Sequence, residues 1–167
     1  GGDVFLVGAE PSRLVAVTSK LKEVGVEVSE QEGKIRVRST DTTKPTDLTT
    51  LSYPGFPTDL QAQFMTLMSV TPGVSRVVEK IYPDRFMHVG ELSRLGAIIA
   101  MDSNSALVRG VPSLSGAPVM ASDLRASAAL IIAGLVAEGQ TLIHRVYHID
   151  RGYMDIENKL EKLGAKI

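Results

Sequence analysis

Apolar residues recur at helical spacing in the segment Leu14, Val17, Leu21 and Val24, and a glycine, Gly25, follows at once. That order predicts an amphipathic helix closed by a residue in the left-handed conformation, after which the alternation Val26, Val28 opens a strand. The same ending appears three times: LKEVGVEV at Leu21 to Val28, LSRLGAIIAM at Leu92 to Met101, and LEKLGAKI at Leu160 to Ile167. Their glycines, Gly25, Gly96 and Gly164, are 71 and 68 positions apart. This is too long for a solenoid repeat and suits a supersecondary unit of several elements.

A second element recurs out of phase with the first. Thr58-Asp59-Leu60-Gln61-Ala62 and Ser122-Asp123-Leu124-Arg125-Ala126 each open a long apolar helix. Each helix is followed by a glycine and a β-branched run, Val74 to Ile81 and Thr141 to Ile149, and each run leads to Asp-Arg, at Asp84-Arg85 and Asp150-Arg151. Further strands are expected at Lys34 to Arg38 and Ala106 to Arg109. The unit is therefore strand, helix, strand, strand, helix, and the chain is α/β. It opens on a strand, Asp3 to Val7, and stops where a strand after Gly164 should continue, so both ends are expected to be cut. The stretch from Ser39 to Pro57, rich in Thr, Asp, Pro and Gly, is the main irregular segment.

Composition narrows the functional classes. A chain of 167 residues that is 44% hydrophobic can bury a sizeable core. With 18 basic and 19 acidic residues it carries no broad positive field, which argues against non-specific nucleic-acid binding. An anionic ligand needs local arginines instead. There is no cysteine, hence no disulfide, thiolate metal site or cysteine nucleophile in this chain. No apolar run reaches the roughly 18 residues of a membrane span. No signal peptide is evident at the start, and the chain is expected to be soluble.

Several side chains stand out as candidate chemistry. Asp59 and Asp123 lie at helix mouths; Thr58 with Gln61 matches a capping box, and Ser122 is the expected cap of the second helix. Arg125 breaks the pattern, because a cation in a first helical turn opposes the dipole and calls for a local anion, which is Asp123, Asp59 or a ligand. Arg85 and Arg151 are expected just after strands, and arginine is shaped for bidentate contact with carboxylate or phosphate; a local turn or salt bridge within each Asp-Arg pair is the alternative. His144 and His148 are expected four apart on one strand, but with His88 they show no metal-ligand spacing. No nucleophile elbow, P-loop or dinucleotide fingerprint is present.

Taken together, SYPGFPTDLQAQF (52–64), DRFMHVGELSRLGA (84–97), LSGAPVMASDLRASAALIIAGL (114–135) and YHIDRGYMDIENKLEKLGAKI (147–167) closely resemble the C-terminal part of the UDP-N-acetylglucosamine 1-carboxyvinyltransferases, members of the enolpyruvyl transferase family. The resemblance runs from about Leu14 to the end. The sister 3-phosphoshikimate 1-carboxyvinyltransferases share fold and chemistry, but their motifs are not similar to YPGFPTD or YHIDRGY.

What the resemblance implies is an inside-out α/β barrel, with helices inside and sheets outside, of which residues 1–167 form part of the C-terminal domain. About two and a half repeats are present, near 1–70, 71–138 and 139–167. The implied reaction moves the enolpyruvyl group of phosphoenolpyruvate to UDP-N-acetylglucosamine in peptidoglycan synthesis, in the cytoplasm and without a cofactor, nucleic acid or membrane partner. By the same resemblance Asp59 is the general base, Ile81 touches the nucleotide sugar through its backbone, and Tyr82 borders the sugar. Arg125 and Arg151 meet the carboxylate or phosphate of phosphoenolpyruvate, Arg85 is a further arginine near the site, and Asp123 a further carboxylate. Pro83 departs from the pattern, standing where many relatives carry a charged residue. The family's N-terminal domain supplies a Lys-Asn pair, more arginines and a mobile loop bearing a cysteine or aspartate, so this chain alone is expected to be inactive. A non-catalytic nucleotide-sugar-binding module is the alternative from another class.

Overall fold

The computed structural model describes residues 2–31 and 33–167. The first unit runs through strand β1 (Asp3–Val7), helix α1 (Val15–Val24), strands β2 (Glu27–Gln31), β3 (Lys34–Arg38) and β4 (Leu48–Thr49), and helix α2 (Gln61–Ser69). The second contains β5 (Val74–Val78), α3 (His88–Arg94), β6 (Ile98–Asp102), β7 (Ser105–Arg109), two short strands β8 (Leu114–Ser115) and β9 (Pro118–Met120), and α4 (Leu124–Val136). The chain then forms β10 (Ala137–Glu138), β11 (Leu142–His144), the single turn α5 (Tyr147–Asp150) and α6 (Ile156–Lys162).

The internal repeat is exact in hydrogen-bond register. In the first sheet β3 lies between β1 and β2, antiparallel to both, with Asp3 and Glu27 opposite Arg38. In the second β7 lies between β5 and β6 in the same sense, with Val74 and Ile98 opposite Arg109. All three positions move by 71: 3 to 74, 27 to 98, 38 to 109. Parallel strand β4 extends the second sheet beside β5, and β9 stands in the same parallel relation to β11, which begins the next copy.

The glycines that mark the repeats do what their position requires. Gly25, Gly96 and Gly164 have φ of 104°, 91° and 97°, the left-handed region in which a side chain is strained. At Gly25 the reversed chain is closed by hydrogen bonds from its own amide to Lys22 and from Val26 to Leu21.

The two inner helices pack against each other in the core. Seven of the nine residues of α2 are buried, and the inner face of α4 presents Ala126, Ala129, Leu130 and Ala133 to it. The Thr66 hydroxyl donates to the Ala129 carbonyl at 3.4 Å, tying one helix to the other. In the second sheet Val77, Ala106 and Val108 face this core while Val74, Ile98 and Leu107 face outward and are about half exposed. The helices are thus inside and the sheets outside, as expected for this fold class.

Three local expectations are corrected. The run Val74 to Ile81 stops being a strand after Val78, because the amides of Ile81 and Tyr82 donate to the Glu79 carboxylate instead of to a neighbouring strand. The run Thr141 to Ile149 is extended only to His144; Arg145 takes φ 62° and turns the chain into α5. Arg151 therefore ends a helical turn rather than following a strand, and His148 does not share a strand face with His144. Finally, residues 58–60 form a 3₁₀ turn ahead of α2 and Thr58 makes no capping bond, while Asp123, not Ser122, caps α4.

Candidate active site

The N-termini of α2 and α4 carry the same sequence motif and put its aspartate to different uses. Asp123 has extended backbone, and its Oδ1 accepts from the amides of Arg125 at 2.7 Å and Ala126 at 3.0 Å, satisfying two donors at the helix start. The equivalent Asp59 lies in the 3₁₀ turn, which frees its side chain from capping. It projects outward, 60% exposed at the side chain, and meets two arginines.

Arg125 Nε donates to Asp59 Oδ1 at 2.6 Å, and Arg85 Nη1 donates to the same oxygen at 3.1 Å. The anion that Arg125 requires in a first helical turn is therefore Asp59, across the helix pair. The bond from Arg125 to Asp59 holds the guanidinium pKa above its ordinary value, opposed by partial burial and aided by the charges of Asp59 and Asp123. Arg85 is held from three sides. Its amide donates to the Tyr82 carbonyl, its guanidinium sits 4.1 Å from the centre of the Tyr82 ring, and Nη1 also donates to the Thr58 hydroxyl at 3.0 Å. Pro83 stands inside this turn, and the ring contact shows that it does not turn Arg85 away from Asp59.

Tyr82, Pro83, Arg85, Met87, Asp123 and Arg125 line an open cleft of about 390 Å³. Beneath it His88 is buried beside Asp123 and stacks on Phe86, with ring centroids 6.2 Å apart. Burial pushes its pKa down to about 4, against the pull of Asp123.

Five of the seven expected site residues, Asp59, Tyr82, Arg85, Asp123 and Arg125, thus surround this cleft or the ion-paired cluster on its wall. Ile81 is the neighbour of Tyr82, and its amide is directed to Glu79. Arg151 is exposed at the end of α5. The next residue, Gly152, packs so closely on Leu124 at the start of α4 that an added Cβ would lie 2.7 Å from that side chain, but among the described residues no hydrogen bond or ion pair joins Arg151 to the cluster. Three residues of this region lie outside the set that the sequence motifs mark: Glu79, Thr50 and His88. The only sequence signal for Glu79 was a lone acid inside an apolar run.

The geometry assembles a carboxylate between two guanidiniums on an open wall, an arrangement suited to an anionic substrate bearing a group to be deprotonated. This is the fold of the enolpyruvyl transferases. The chain belongs to the family described as EPSP synthase (3-phosphoshikimate 1-carboxyvinyltransferase), whose pattern matches residues 1–160.

Within that family it is similar to UDP-N-acetylglucosamine 1-carboxyvinyltransferases. It is 56% identical over 168 residues to the enzyme of that name from Magnetococcus marinus, and 56% identical over 166 residues to that from Desulfosudis oleivorans. These alignments take in 100% and 99% of this chain but 40% of each relative, so the chain spans about two fifths of their length. Among solved structures, the enolpyruvyl transferase NikO from Streptomyces tendae superposes with a TM-score of 0.89 at 29% identity, covering 99% of this chain and 39% of that one. EPSP synthase from Acinetobacter baumannii superposes at 0.62 with 16% identity, over 85% of this chain and 34% of that one, which shows a shared fold alone.

Proposed function

We propose that the chain forms one wall of the active site of a transferase that moves the enolpyruvyl group of phosphoenolpyruvate to the 3′-hydroxyl of UDP-N-acetylglucosamine, in the synthesis of peptidoglycan in the cytoplasm. The observation that carries this reading is the Asp59 carboxylate bridged by Arg85 and Arg125. In the reaction the sugar oxygen forms a bond to C2 of phosphoenolpyruvate, the bond from C2 to the phosphate oxygen breaks, and the hydroxyl proton leaves. Asp59 is the group that takes this proton.

The ion pairs explain how the carboxylate waits for substrate. In the open cleft two guanidiniums neutralise Asp59. Arriving phosphoenolpyruvate, with a carboxylate and a phosphate, competes for Arg125 and for the exposed Arg151, both of which it needs as cationic clamps. As Arg125 turns to the substrate, Asp59 loses that partner and keeps Arg85 at the moment a hydroxyl is placed beside it. Ile81 through its backbone and Tyr82 through its ring then border the sugar, and Asp123 keeps Arg125 in place by holding its amide.

The test is acceptor choice in the full-length protein, read as phosphate released from phosphoenolpyruvate. Release with UDP-N-acetylglucosamine and none with shikimate 3-phosphate is expected. The reverse preference overturns the substrate assignment, and binding of the nucleotide sugar without release marks a non-catalytic module.

A further inference from the structure

Glu79 is a fully buried carboxylate, 0% exposed, that no motif of the site includes. Its Oε1 accepts from the Thr50 hydroxyl at 2.6 Å and from the amides of Ile81 at 2.8 Å and Tyr82 at 3.0 Å. Its Oε2 accepts from the Thr58 hydroxyl at 2.9 Å. Asn104 fixes the backbone of the same residue, accepting from its amide at 2.9 Å and donating to its carbonyl at 3.0 Å. Burial acts to raise the Glu79 pKa, but the bonds from Thr50, Tyr82, Ile81 and Thr58 outweigh it and leave the group below its ordinary value. Glu79 is therefore ionised at neutral pH, and an ionised carboxylate only accepts hydrogen bonds.

That restriction sets the direction of a short relay. The Thr58 proton must point at Glu79, so the Thr58 oxygen presents its free lone pair to the other side. There Arg85 Nη1 donates to it at 3.0 Å and, from the same nitrogen, to Asp59 at 3.1 Å. We propose that Glu79 is a positioning residue for the transfer reaction, orienting Arg85 against Asp59 through the Thr58 hydroxyl. It touches no substrate. It reaches the reacting carboxylate through two intermediates, Thr58 on the 3₁₀ turn and Arg85 on the loop after β5, and so locks two repeat units in the relation that the site needs. The inference rests on the reading of Asp59 as the base.

The variant Glu79→Gln isolates the relay. Its amide oxygen belongs in the position that faces three donors, which leaves its NH₂ group facing Thr58. Thr58 must then accept, its proton turns toward Arg85, and the guanidinium loses its second acceptor. Misplacing a catalytic group by about 1 Å can cost on the order of 10²-fold in rate. In the full-length protein kcat should fall on the order of tenfold or more, with KM for UDP-N-acetylglucosamine and the melting temperature little changed. Thr58→Val, which removes the hydroxyl, should give a similar fall, and the double variant should be no worse than the poorer single one, because both act through one link.

An unchanged kcat in either single variant, or a double variant whose loss is the product of the two, overturns the proposal. Should Glu79→Gln not fold, Thr58→Val decides alone by the same criterion. Asp59→Ala in the same series separates the two levels: turnover that survives it removes the base assignment itself, whereas turnover lost there but kept in Thr58→Val removes only the role of Glu79.

Discussion

His88 is the clearest case of a titratable group that the fold keeps neutral. It is 2% exposed at the start of α3, its Nε2 faces no hydrogen-bond partner among the described residues, and burial lowers its pKa to about 4. In the unfolded chain a histidine titrates near 6.5, so between the two values the unfolded state holds a proton that the folded state refuses. Stability is then full above the unfolded value and falls with acid until about pH 4. Between pH 7 and pH 5 this one group should cost about 2 kcal/mol. Denaturant midpoints at the two pH values measure it, and the pH-dependent part should largely vanish in His88→Gln. Glu79, whose pKa is lowered, adds acid sensitivity of the same sign at lower pH, because its contribution is lost only as pH falls through that lowered value.

At this scale the site was partly legible. Arg125 announced a nearby anion by standing against the helix dipole, and Asp59 answers it at 2.6 Å. Glu79 gave no such sign. Its side-chain donors come from Thr50 and Thr58, more than 20 positions away, and a lone acid in a β-branched run reads as the outward face of a strand.

Among the elements, the glycine-marked C-terminal ends of helices are more legible than helix starts or strand ends. A glycine in the left-handed region stops α1 through its own backbone, a signal written in one residue type, whereas β5 stops because the amides that follow turn to the Glu79 carboxylate and β11 because Arg145 turns the chain. The paired strands β8 with β10 and β9 with β11 are two and three residues long, too short to show a period. The joint between the inner helices and the second sheet makes a sharper demand. At Gly110, just past β7, an added Cβ would lie 1.7 Å from the Thr71 carbonyl oxygen, so Gly110→Ala must move backbone. It should destabilise by about 3 kcal/mol. Gly90, inside α3, has nothing within 4 Å of its added Cβ, and Gly90→Ala should instead stabilise by about 0.5 to 1 kcal/mol. Denaturant midpoints of the two variants provide the comparison.

For the whole molecule, the repeated sheet register explains why a site can be built from two copies of one motif. Duplication sets the N-termini of α2 and α4 side by side; one aspartate stays as a cap, and the other, released by a 3₁₀ turn, pairs with two arginines instead. The resulting wall is open, with Asp59 well exposed, and the chain covers about 40% of its curated relatives. No helix among the described residues is long and apolar enough to cross a membrane. An open wall leaves water on the Asp59 carboxylate, and electrostatic clamping is weakened there. Residues 1–167 alone should therefore release no phosphate from phosphoenolpyruvate in the presence of UDP-N-acetylglucosamine, even when folded, whereas the full-length protein should.

The central claim is that Asp59 takes the proton of the acceptor hydroxyl while the arginines hold the anionic substrate. It is tested most directly by steady-state kinetics of Asp59→Ala in the full-length protein, alongside calorimetric binding of UDP-N-acetylglucosamine. The account predicts a fall in kcat of roughly 10² to 10⁴-fold with nucleotide-sugar affinity changed by far less. A kcat that survives the substitution would contradict it.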